Sequence, residues 1–459
     1  MSGVISVGGL ATGLDTNSII SQLVAIEQKP VDLLKQQSSD VQTTRDTVGQ
    51  VSKGVLALRD AASALGFADQ VLVRQAASSN ENVLTATAGT GAQRGTTAVT
   101  VTQLARGSIA GATIGLASAD ALVASSQGRF SFQVGGGDVQ SVDVDGSTTL
   151  QDLATKINNL GAGVSASAIN LGTTASPDWR LQIATTTTGA SSTITVVQDD
   201  TNLGLQTTQA GQNAAFTVAG FSGTFQRESN TVGDVLPGVT FQLQELGSST
   251  ITVTDDAAAI TAKVKALADA FNNLVGYVNG QSTIVTNQDK SVTVGPLAND
   301  SAVQRTIDRL HAALSAPYAA ATGKYVNLSS IGFSTYVATG PDDPNKGTIT
   351  FDAAKFQAAL ADDPNAVAAV LAGDGVTTGI ANQVSALATQ VTSVGGSLVS
   401  DDASLGDRLK SLADQIDQGQ QRVDAFQARI QEQFNALETL VAQFKTQGDF
   451  LTSAFAKKG

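Results

Sequence analysis

Residues 409–444 read LKSLADQIDQGQQRVDAFQARIQEQFNALETLVAQF, and every seventh residue of this stretch is apolar. A companion position three residues further on is also mostly apolar, but Gly419 and Gln433 weaken it. Such a repeat is typical of a helix that packs along a partner in a coiled coil, although a long amphipathic helix in an ordinary bundle would resemble it. The residues of the unbroken position are Leu409, Ile416, Val423, Ile430, Leu437 and Phe444.

The N-terminal part of the chain carries the same spacing between residues 34 and 62. Each terminal helix alone would leave its apolar stripe in water, whereas burying one such side chain contributes about 1.5–3 kcal/mol. We therefore expect the two ends to pair as a stem, or to pack against neighbouring subunits. The N-terminal stripe consists of Leu34, Val41, Val48, Val55 and Ala62.

Proline and capping residues predict where the N-terminal helices begin. Pro30 suits the first turn of a helix, where its missing N–H would be unpaired in any case. The stem helix is therefore predicted to begin near Pro30. A shorter apolar helical face precedes it, with Asp15 or Asn17 as the candidate cap.

The middle of the chain changes to a period of two from about residue 71, with short strands separated by Gly-rich turns. Residues 147–163 interrupt the strands with a helical pattern that Gly161 ends. Helical patterns return at 257–282 and 300–316, and two short helices divided at Pro364 follow a hairpin or loop region.

This order predicts a multidomain α+β fold. Its parts are a terminal helical coiled-coil stem, a helix bundle and inserted β-rich head domains. The predicted boundaries are 1–33 for an export and terminal stem segment, 34–69 for the stem helix, 70–107 with 215–255 for a discontinuous first head domain, 108–214 for an inserted second head domain, 256–400 for a helix bundle with a small hairpin, and 401–459 for the C-terminal stem helix.

Composition argues against several classes of function. The net charge is −13 with no compensating basic tract, so nucleic acid and anionic membranes are poor partners. Cysteine is absent, which excludes disulfides, thiolate zinc sites and cysteine nucleophiles. No apolar run approaches the ~18 residues that a membrane-spanning helix needs. The first residues also lack the basic start and unbroken apolar run of a cleavable secretory signal.

Residues able to carry out catalysis are few. The single histidine, His311, lies in a helical pattern without a second histidine to share a metal. Five Asp-Asp pairs occur at strand ends, before helices or beside Pro and Gly, where caps and turns explain them better than acid–base chemistry does. The pairs are Asp199-Asp200, Asp255-Asp256, Asp342-Asp343, Asp362-Asp363 and Asp401-Asp402.

Residues 141–152, SVDVDGSTTLQD, partly resemble a calcium-binding loop. Ser141 occupies the place of the first ligand, and Asp152 stands where glutamate is usual. A strand, a turn and a helix cap account for the stretch more simply. We therefore expect no metal, no cofactor and no enzymatic activity.

Four stretches resemble the flagellar hook-associated protein 2 family, and the likeness extends over most of the chain. The first is GLATGLDTNSIISQLVAIEQKPVDLL at residues 9–34, which is similar to the opening of the family. The second, at 147–170 with 179–196, resembles the small repeat inserted in flagellins and hook-associated proteins. The third and fourth are RESNTVGDVLPGVTFQLQ at 227–244 and ITFDAAKFQAALADDPNAVAAVL at 349–371, which resemble blocks of its C-terminal region.

The resemblance implies a structural cap at the tip of the bacterial flagellar filament. The implied partners are further copies in a ring-like, pentamer-type homo-oligomer, flagellin, hook-associated junction proteins and an export chaperone. It also implies secretion by the flagellar type III apparatus, which would read the poorly ordered, uncleaved N-terminus, and placement at the filament tip outside the cell. The apolar residues that it assigns to chaperone contacts are Leu437, Leu440, Val441 and Phe444.

Two other classes of protein remain open from the residues alone. A secreted adhesin or tail-fibre-like surface protein would also place β heads on a coiled-coil stem. An enzyme such as a glycosidase in the β head would need paired carboxylates and aromatic side chains, and the aromatic fraction is only 5%.

Overall fold

The computed structural model describes residues 15–320, 323–340 and 343–456, and its contacts divide the chain into two compact units. Unit 1 comprises Met1–Val71 and Thr261–Gly459, and unit 2 comprises Leu72–Ile260. Long helices lie towards both ends and strands lie between them, so the predicted multidomain α+β fold is confirmed. The finer domain boundaries stay predictions, and residues 1–14 of the predicted export segment lie outside the described residues.

Unit 2 consists mainly of strands, together with helix α3 (Leu150–Asn159), whose apolar face is buried. In chain order the elements are β1 (Arg74–Ser78), β2 (Leu84–Ala88), β3 (Gly95–Gln103), β4 (Ile109–Ala112), β5 (Gly128–Val134), β6 (Gln140–Val144), α3 (Leu150–Asn159), β7 (Val164–Asn170), β8 (Trp179–Thr185), β9 (Ile194–Asp199), β10 (Leu205–Gln209), β11 (Ala214–Val218), β12 (Phe225–Arg227), β13 (Thr231–Leu236), β14 (Val239–Leu243) and β15 (Gly247–Asp255).

A first hydrophobic core lies between a five-stranded sheet, in the order β1-β15-β3-β11-β12, and a three-stranded sheet, in the order β13-β14-β2. Strand β14 alternates as a half-buried strand should: Val239, Phe241 and Leu243 are buried, and the residues between them are exposed. Phe216 of β11 meets Phe241 edge-on, with ring centroids 5.6 Å apart. This contact links the two sheets.

The PGVT stretch forms the turn between β13 and β14. Leu236 pairs with Val239, so the loop contains only Pro237 and Gly238. Gly238 has φ +70°, and a Cβ there would lie 2.4 Å from the backbone nitrogen of Ala92. Both the backbone conformation and the close approach therefore require glycine.

Asn230, from the SNT stretch, hydrogen-bonds the backbone where the chain runs from the first core to a second one. Its Nδ2 donates to the carbonyl oxygen of Ala105 at 3.0 Å, and its Oδ1 accepts from the Ala105 N–H at 2.7 Å. Ala105 is buried, so these bonds satisfy backbone groups that water does not reach. Arg106 and Gln212 then form an antiparallel bridge at the two crossings of the chain.

The second core lies among a four-stranded sheet in the order β10-β4-β8-β7, a three-stranded sheet in the order β6-β5-β9, and α3. Helix α3 is the predicted one: Thr149 and Asp152 form a capping box at its start, and Gly161 follows its end with φ +63°. Leu150, Leu153 and Ile157 of α3 are fully buried.

Unit 1 is mainly helical. Its elements are α1 (Thr16–Ser63), α2 (Ala68–Val71), α4 (Ala257–Gln281, in this unit from Thr261 onward), β16 (Ile284–Thr286), β17 (Val292–Val294), α5 (Ser301–Ser315), β18 (Phe333–Thr335), β19 (Ile349–Phe351), α6 (Ala353–Asp362), α7 (Pro364–Ala372), α8 (Ile380–Thr392) and α9 (Ser397–Ala456). The division of two short helices at Pro364 is as predicted.

The prediction that the stem helix begins near Pro30 is wrong. Helix α1 begins at Thr16, with the Asp15 carboxylate accepting the Ser18 N–H as its cap, and runs through Pro30 without a break. An internal proline costs a helix about 3 kcal/mol. Ile20 and Val31, on either side of it, are both buried. Packing of one continuous helix offsets the local cost, because tertiary contacts supply most helical stability in proteins.

Helices α1 and α9 pack antiparallel. Gln28 Nε2 donates to Gln420 Oε1 at 3.3 Å, whereas Arg45, later in α1, donates from Nε and from a terminal nitrogen to Asp402, earlier in α9, at 2.9 and 3.1 Å. The C-terminal half of α1 has a different partner, since it lies along α8 and Ser63 hydrogen-bonds Ser385 there at 2.8 Å.

Gly419 is a point of close contact in this helix pair. The sequence suggested that it weakens the seam. It is buried, however, and a Cβ at this position would lie 2.8 Å from Cγ2 of Val31. The glycine therefore lets the two helices approach closely, which corrects the interpretation of Gly419 as a gap.

Two adjacent carboxyl groups of α9 have opposite electrostatic surroundings. The hydrogen bond from Arg45 lowers the pKa of Asp402. Burial, together with the neighbouring charges of Asp300 and Asp402, raises the pKa of Asp401 from 3.8 to about 6. Asp401 Oδ2 is buried without a hydrogen-bond partner among the described residues, and Asp300 accepts two backbone N–H groups as the cap of α5.

Gly238→Ala should destabilise unit 2 more than Gly220→Ala does. Both glycines have positive φ, so both substitutions add the roughly 1–2 kcal/mol of left-handed strain. Only at position 238 does the new Cβ meet backbone, because nothing lies within 4 Å at position 220. We expect about 1–3 kcal/mol of additional destabilisation, measured by amide hydrogen exchange in β13 and β14. Equal effects would contradict the proposed contact.

Asp401→Asn should stabilise the protein above about pH 6. The folded pKa of Asp401 exceeds its unfolded value, so the folded state binds the proton more tightly and wild-type stability falls as pH rises from about 4 to about 6. The asparagine variant does not lose stability in this way, so its higher free energy of unfolding relative to wild type should disappear towards pH 4. Asp402→Asn is the matched control: it removes a carboxylate of lowered pKa and should be destabilising at neutral pH.

Urea unfolding between pH 4 and 8, followed by far-ultraviolet circular dichroism, measures both variants. If the Asp401→Asn protein were less stable than wild type at pH 7, the conclusion that the buried Asp401 carboxylate destabilises the protein at this pH would be wrong.

Candidate functional site: the exposed end of the stem

The last turns of α9 extend beyond the described part of α1. Thr16 lies twelve residues before Gln28, and antiparallel pairing with Gln420 places it level with about residue 432 of α9. Helix α9 continues to Ala456. At 1.5 Å per residue this extension is about 36 Å long.

This extension carries exposed apolar side chains. Leu437, Leu440 and Phe444 are 43%, 50% and 61% exposed, and Phe450 and Leu451 beyond them are exposed as well. Contiguous exposed apolar surface on a soluble chain marks an interaction site. We name the segment 437–451 the stem end.

The outer face of α1 adds to this apolar surface. Leu23, Ile26 and Leu33 are exposed, and their spacing places them with Pro30 on one side of the helix. This stripe was not predicted, although the sequence contains its intervals of three, four and three residues. The packing of α8 against α1 was not predicted either.

The residues predicted for stem, oligomer or chaperone contacts fall into three groups in the single chain. The first group is buried, the second is half-buried and the third is exposed. They are Val41, Val48, Val55 and Val423 in the first group, Leu34, Leu409, Ile416, Ile430 and Val441 in the second, and Leu437, Leu440 and Phe444 in the third. Contact of any of them with another copy or a chaperone stays a prediction.

His311 has packed surroundings. It is half-buried in α5, and its ring centroid lies 6.1 Å from that of Phe271. No group of three or more His, Asp or Glu side chains that could hold a metal ion occurs within the described ranges.

The calcium-like stretch is a turn followed by a helix cap. Asp145 accepts hydrogen bonds from the N–H and hydroxyl of Ser147 and from the Thr148 hydroxyl, and these bonds lower its pKa to about 2. Hydrogen bonds from Thr149 likewise lower the pKa of Asp152. The interpretation as strand, turn and cap is confirmed.

Four of the Asp-Asp pairs contain a helix cap or a turn residue, as predicted. Asp256 accepts the Ala259 N–H near the start of α4, and Asp363 accepts the Ala366 N–H at the start of α7. Asp199 accepts the N–H groups of Thr201 and Leu205 in the turn before β10.

The interpretation as caps and turns is wrong for other members. Asp255 forms ion pairs with Arg74 and Arg94, and Asp401 and Asp402 lie inside α9. Hydrogen bonds from Lys324 and Tyr325 lower the pKa of Asp362, the last residue of α6. Asp343, by contrast, fits the interpretation, because it accepts the N–H groups of Thr339 and Asn345 at a turn, and these bonds lower its pKa. Asp342 lies outside the described residues.

In the part of the chain that the structure describes, no helix combines the length and apolar character needed to cross a membrane.

Comparison with protein families gives matches along most of the chain. The profile of the flagellar hook-associated protein 2 N-terminus matches residues 12–108, and that of its C-terminus matches residues 211–446. The flagellin hook IN motif matches residues 129–176, which include α3. The C-terminal match alone covers more than half of the chain.

Curated relatives and a solved structure agree with these matches. Flagellar hook-associated protein 2 of Escherichia coli O157:H7 is 27% identical over 98% of both chains. B-type flagellar hook-associated protein 2 of Pseudomonas aeruginosa PAO1 is 29% identical over 83% of this chain and 82% of its own.

The crystal structure of the D1-D2-D3 domains of the flagellar cap protein FliD from Escherichia coli superposes with a TM-score of 0.62 at 26% identity. The match covers 78% of this chain and 99% of that one. The resemblance found in the sequence is confirmed, and the chain belongs to the flagellar hook-associated protein 2 family.

Proposed function

We propose that the protein caps the distal end of the bacterial flagellar filament, where it retains exported flagellin and guides its polymerisation. The supporting observation is the exposed apolar stem end, on a chain of which 98% is matched by flagellar hook-associated protein 2 of Escherichia coli O157:H7. The role is one of structure and assembly, and the protein is not an enzyme.

The stem supplies the physical basis for insertion into a helical assembly. By family resemblance, flagellin also carries paired terminal helices, so an antiparallel helix pair can occupy the place of one filament layer. Leu437, Leu440 and Phe444 would then leave water for an apolar environment, and each would contribute about 1.5–3 kcal/mol. The same side chains are available to an export chaperone before assembly.

The finer elements of the proposal follow from the family resemblance. Several copies form a ring-like, pentamer-type plate, flagellin is held beneath it, and junction proteins of the hook-associated class occupy the other end of the filament. The protein leaves the cell through the flagellar type III apparatus and acts outside it. No observation favours the adhesin alternative.

A strain that lacks the protein should be non-motile or weakly motile and should release flagellin into the medium. Purified wild-type protein added to these cells should restore filament growth and bypass export. A Leu437→Asp/Phe444→Asp double variant should not, because two charges would enter the apolar contact. Thr439→Asp, at an exposed polar position of the same helix, is the matched control and should restore growth.

Filament length by electron microscopy and flagellin in the medium by immunoblot measure these outcomes. Normal filaments in the deletion strain would contradict the cap function. Full restoration by the double variant would contradict the role of the stem end.

A further inference from the structure

Helix α9 begins beside α5 and α1 of unit 1. The hydroxyl oxygens of Ser397 and of the buried Thr306 on α5 lie 3.3 Å apart. Further along α9, Asp402 accepts the two hydrogen bonds from Arg45 of α1. We name residues 397–402 the stem root, because this segment attaches the long helix of the stem to α5 and α1.

One carboxylate oxygen of the stem root has no hydrogen-bond partner among the described residues. It is Oδ2 of Asp401, which is buried. Asp402 differs, since Arg45 lies against it as an ion-pair partner at 2.9 Å. A buried charge that lacks both a donor and a counter-charge is costly, so the surroundings of Asp401 require an explanation.

A second carboxyl group, that of Asp300, approaches Asp401 from α5. Asp300 Oδ1 accepts the N–H groups of Ala302 and Val303 at 3.0 Å each, and these bonds fix it at the start of α5. Burial, the charge of Asp300 and a hydrogen bond between the two carboxyl groups raise the pKa of Asp401 to about 6. Such a bond needs a proton, because an ionised carboxylate only accepts and a protonated one can donate.

The described residues offer Asp401 no cation in place of that proton. Helix α8, which also packs on α9, contains no ionisable side chain. On α1, Arg45 is bound to Asp402 through two of its nitrogen atoms, and on α5, Arg305 is exposed to solvent. The charges that act on Asp401 are those of Asp300 and Asp402, and both are negative.

We propose that Asp300 and Asp401 share one proton, whose carboxyl–carboxylate hydrogen bond joins the start of α5 to the stem root. With the proton bound, the O–H of one carboxyl group donates to the other, and the stem root is held on α5. After the proton is released to water, two carboxylates repel each other in a partly buried place, so the stem root separates from α5 more readily. The contact is thus strengthened by acid, and it does not depend on the proposed cap function.

The direction of the pH dependence follows from the raised pKa. Asp401 binds its proton more tightly while the stem root lies on α5 than after separation, where the ordinary pKa of 3.8 applies. The resulting stabilisation is full below about pH 4 and is lost as pH rises through about 6. Between pH 5 and 7.5 the equilibrium constant for separation should therefore increase about tenfold. This range stays above the isoelectric point of about 4.5.

Amide hydrogen exchange on the full-length protein measures this separation in residues 398–406, once the intrinsic pH dependence of exchange is subtracted. Asp300→Asn and Asp401→Asn each replace the shared proton by an amide N–H donor that does not titrate. Asparagine is also a good cap, so the start of α5 is retained. In both variants we expect the equilibrium constant for separation to change by at most about twofold between pH 5 and 7.5.

Asp407→Asn is the matched control for these variants. Position 407 is exposed on the same helix. The wild-type change of about tenfold between pH 5 and 7.5 should therefore remain in this variant.

Carbon-13 NMR of labelled aspartate side chains follows the proton itself. In the wild type the carboxyl carbon of Asp401 should titrate with a pKa of about 6. In Asp300→Asn the midpoint of this titration should fall by about one pH unit or more, a loss of about tenfold in proton affinity. The reason is that an amide donor favours the carboxylate of Asp401 and the like charge is absent. An unchanged midpoint would show that Asp300 is not the partner of Asp401.

Three further results would contradict the shared proton. The first is a wild-type stem root whose exchange, after the same subtraction, does not change between pH 5 and 7.5. The second is a pH dependence that persists in both asparagine variants. The third is protection at pH 7.5 that increases on addition of magnesium or calcium, because a metal ion would then take the place of the proton.

Discussion

The apolar stripes of the two terminal helices constrain the whole chain, because neither can be buried within its own helix. Val31 of α1 lies against Gly419 of α9, and Arg45 reaches Asp402, although the latter pair is 357 residues apart in the sequence. Everything between them must leave the helical unit and return. Strands β1 and β15 accommodate the return as neighbours in one sheet, with Arg74 opposite Asp255. Strands β3 and β11 are likewise neighbours in that sheet, and the chain runs to the second core after β3 and returns from it at β11. Asn230 hydrogen-bonds Ala105, where the chain leaves for the second core.

The seven-residue repeats predicted the two long helices, since periodicity indicates which face of a helix needs a packing partner. That the helices depend on each other stays a prediction. The period of two predicted the strands of unit 2, and Thr149 and Gly161 marked both ends of α3. Predictions from neighbouring residues were wrong where packing against residues far away in the sequence determines the structure. Pro30 usually begins a helix, but the burial of Ile20 and Val31 keeps α1 continuous. Long-range contacts are absent from local patterns.

The candidate site could be predicted only in part. The repeat that contains Leu437 and Phe444 was visible, but a repeat does not reveal that α9 extends beyond the described part of α1 and leaves these side chains exposed. Asp401 and Asp402 looked alike in the sequence. Arg45 pairs with one of them and burial beside Asp300 affects the other, so their pKa values move in opposite directions. Gly419 was likewise predicted to weaken the apolar repeat, but it provides the space in which α9 approaches Val31 of α1.

The dependence of α1 on α9 is tested most directly by hydrogen exchange on the full chain and on a chain that ends after Gly406. The shorter chain keeps Asp402 and α8 but loses the part of α9 that covers the N-terminal half of α1. Amides in residues 16–40 should lose most of their protection, because a helix without a packing partner is marginally stable in water. Amides in residues 48–62 should keep theirs, because α8 still covers them. Full protection of residues 16–40 in the shorter chain would contradict the account.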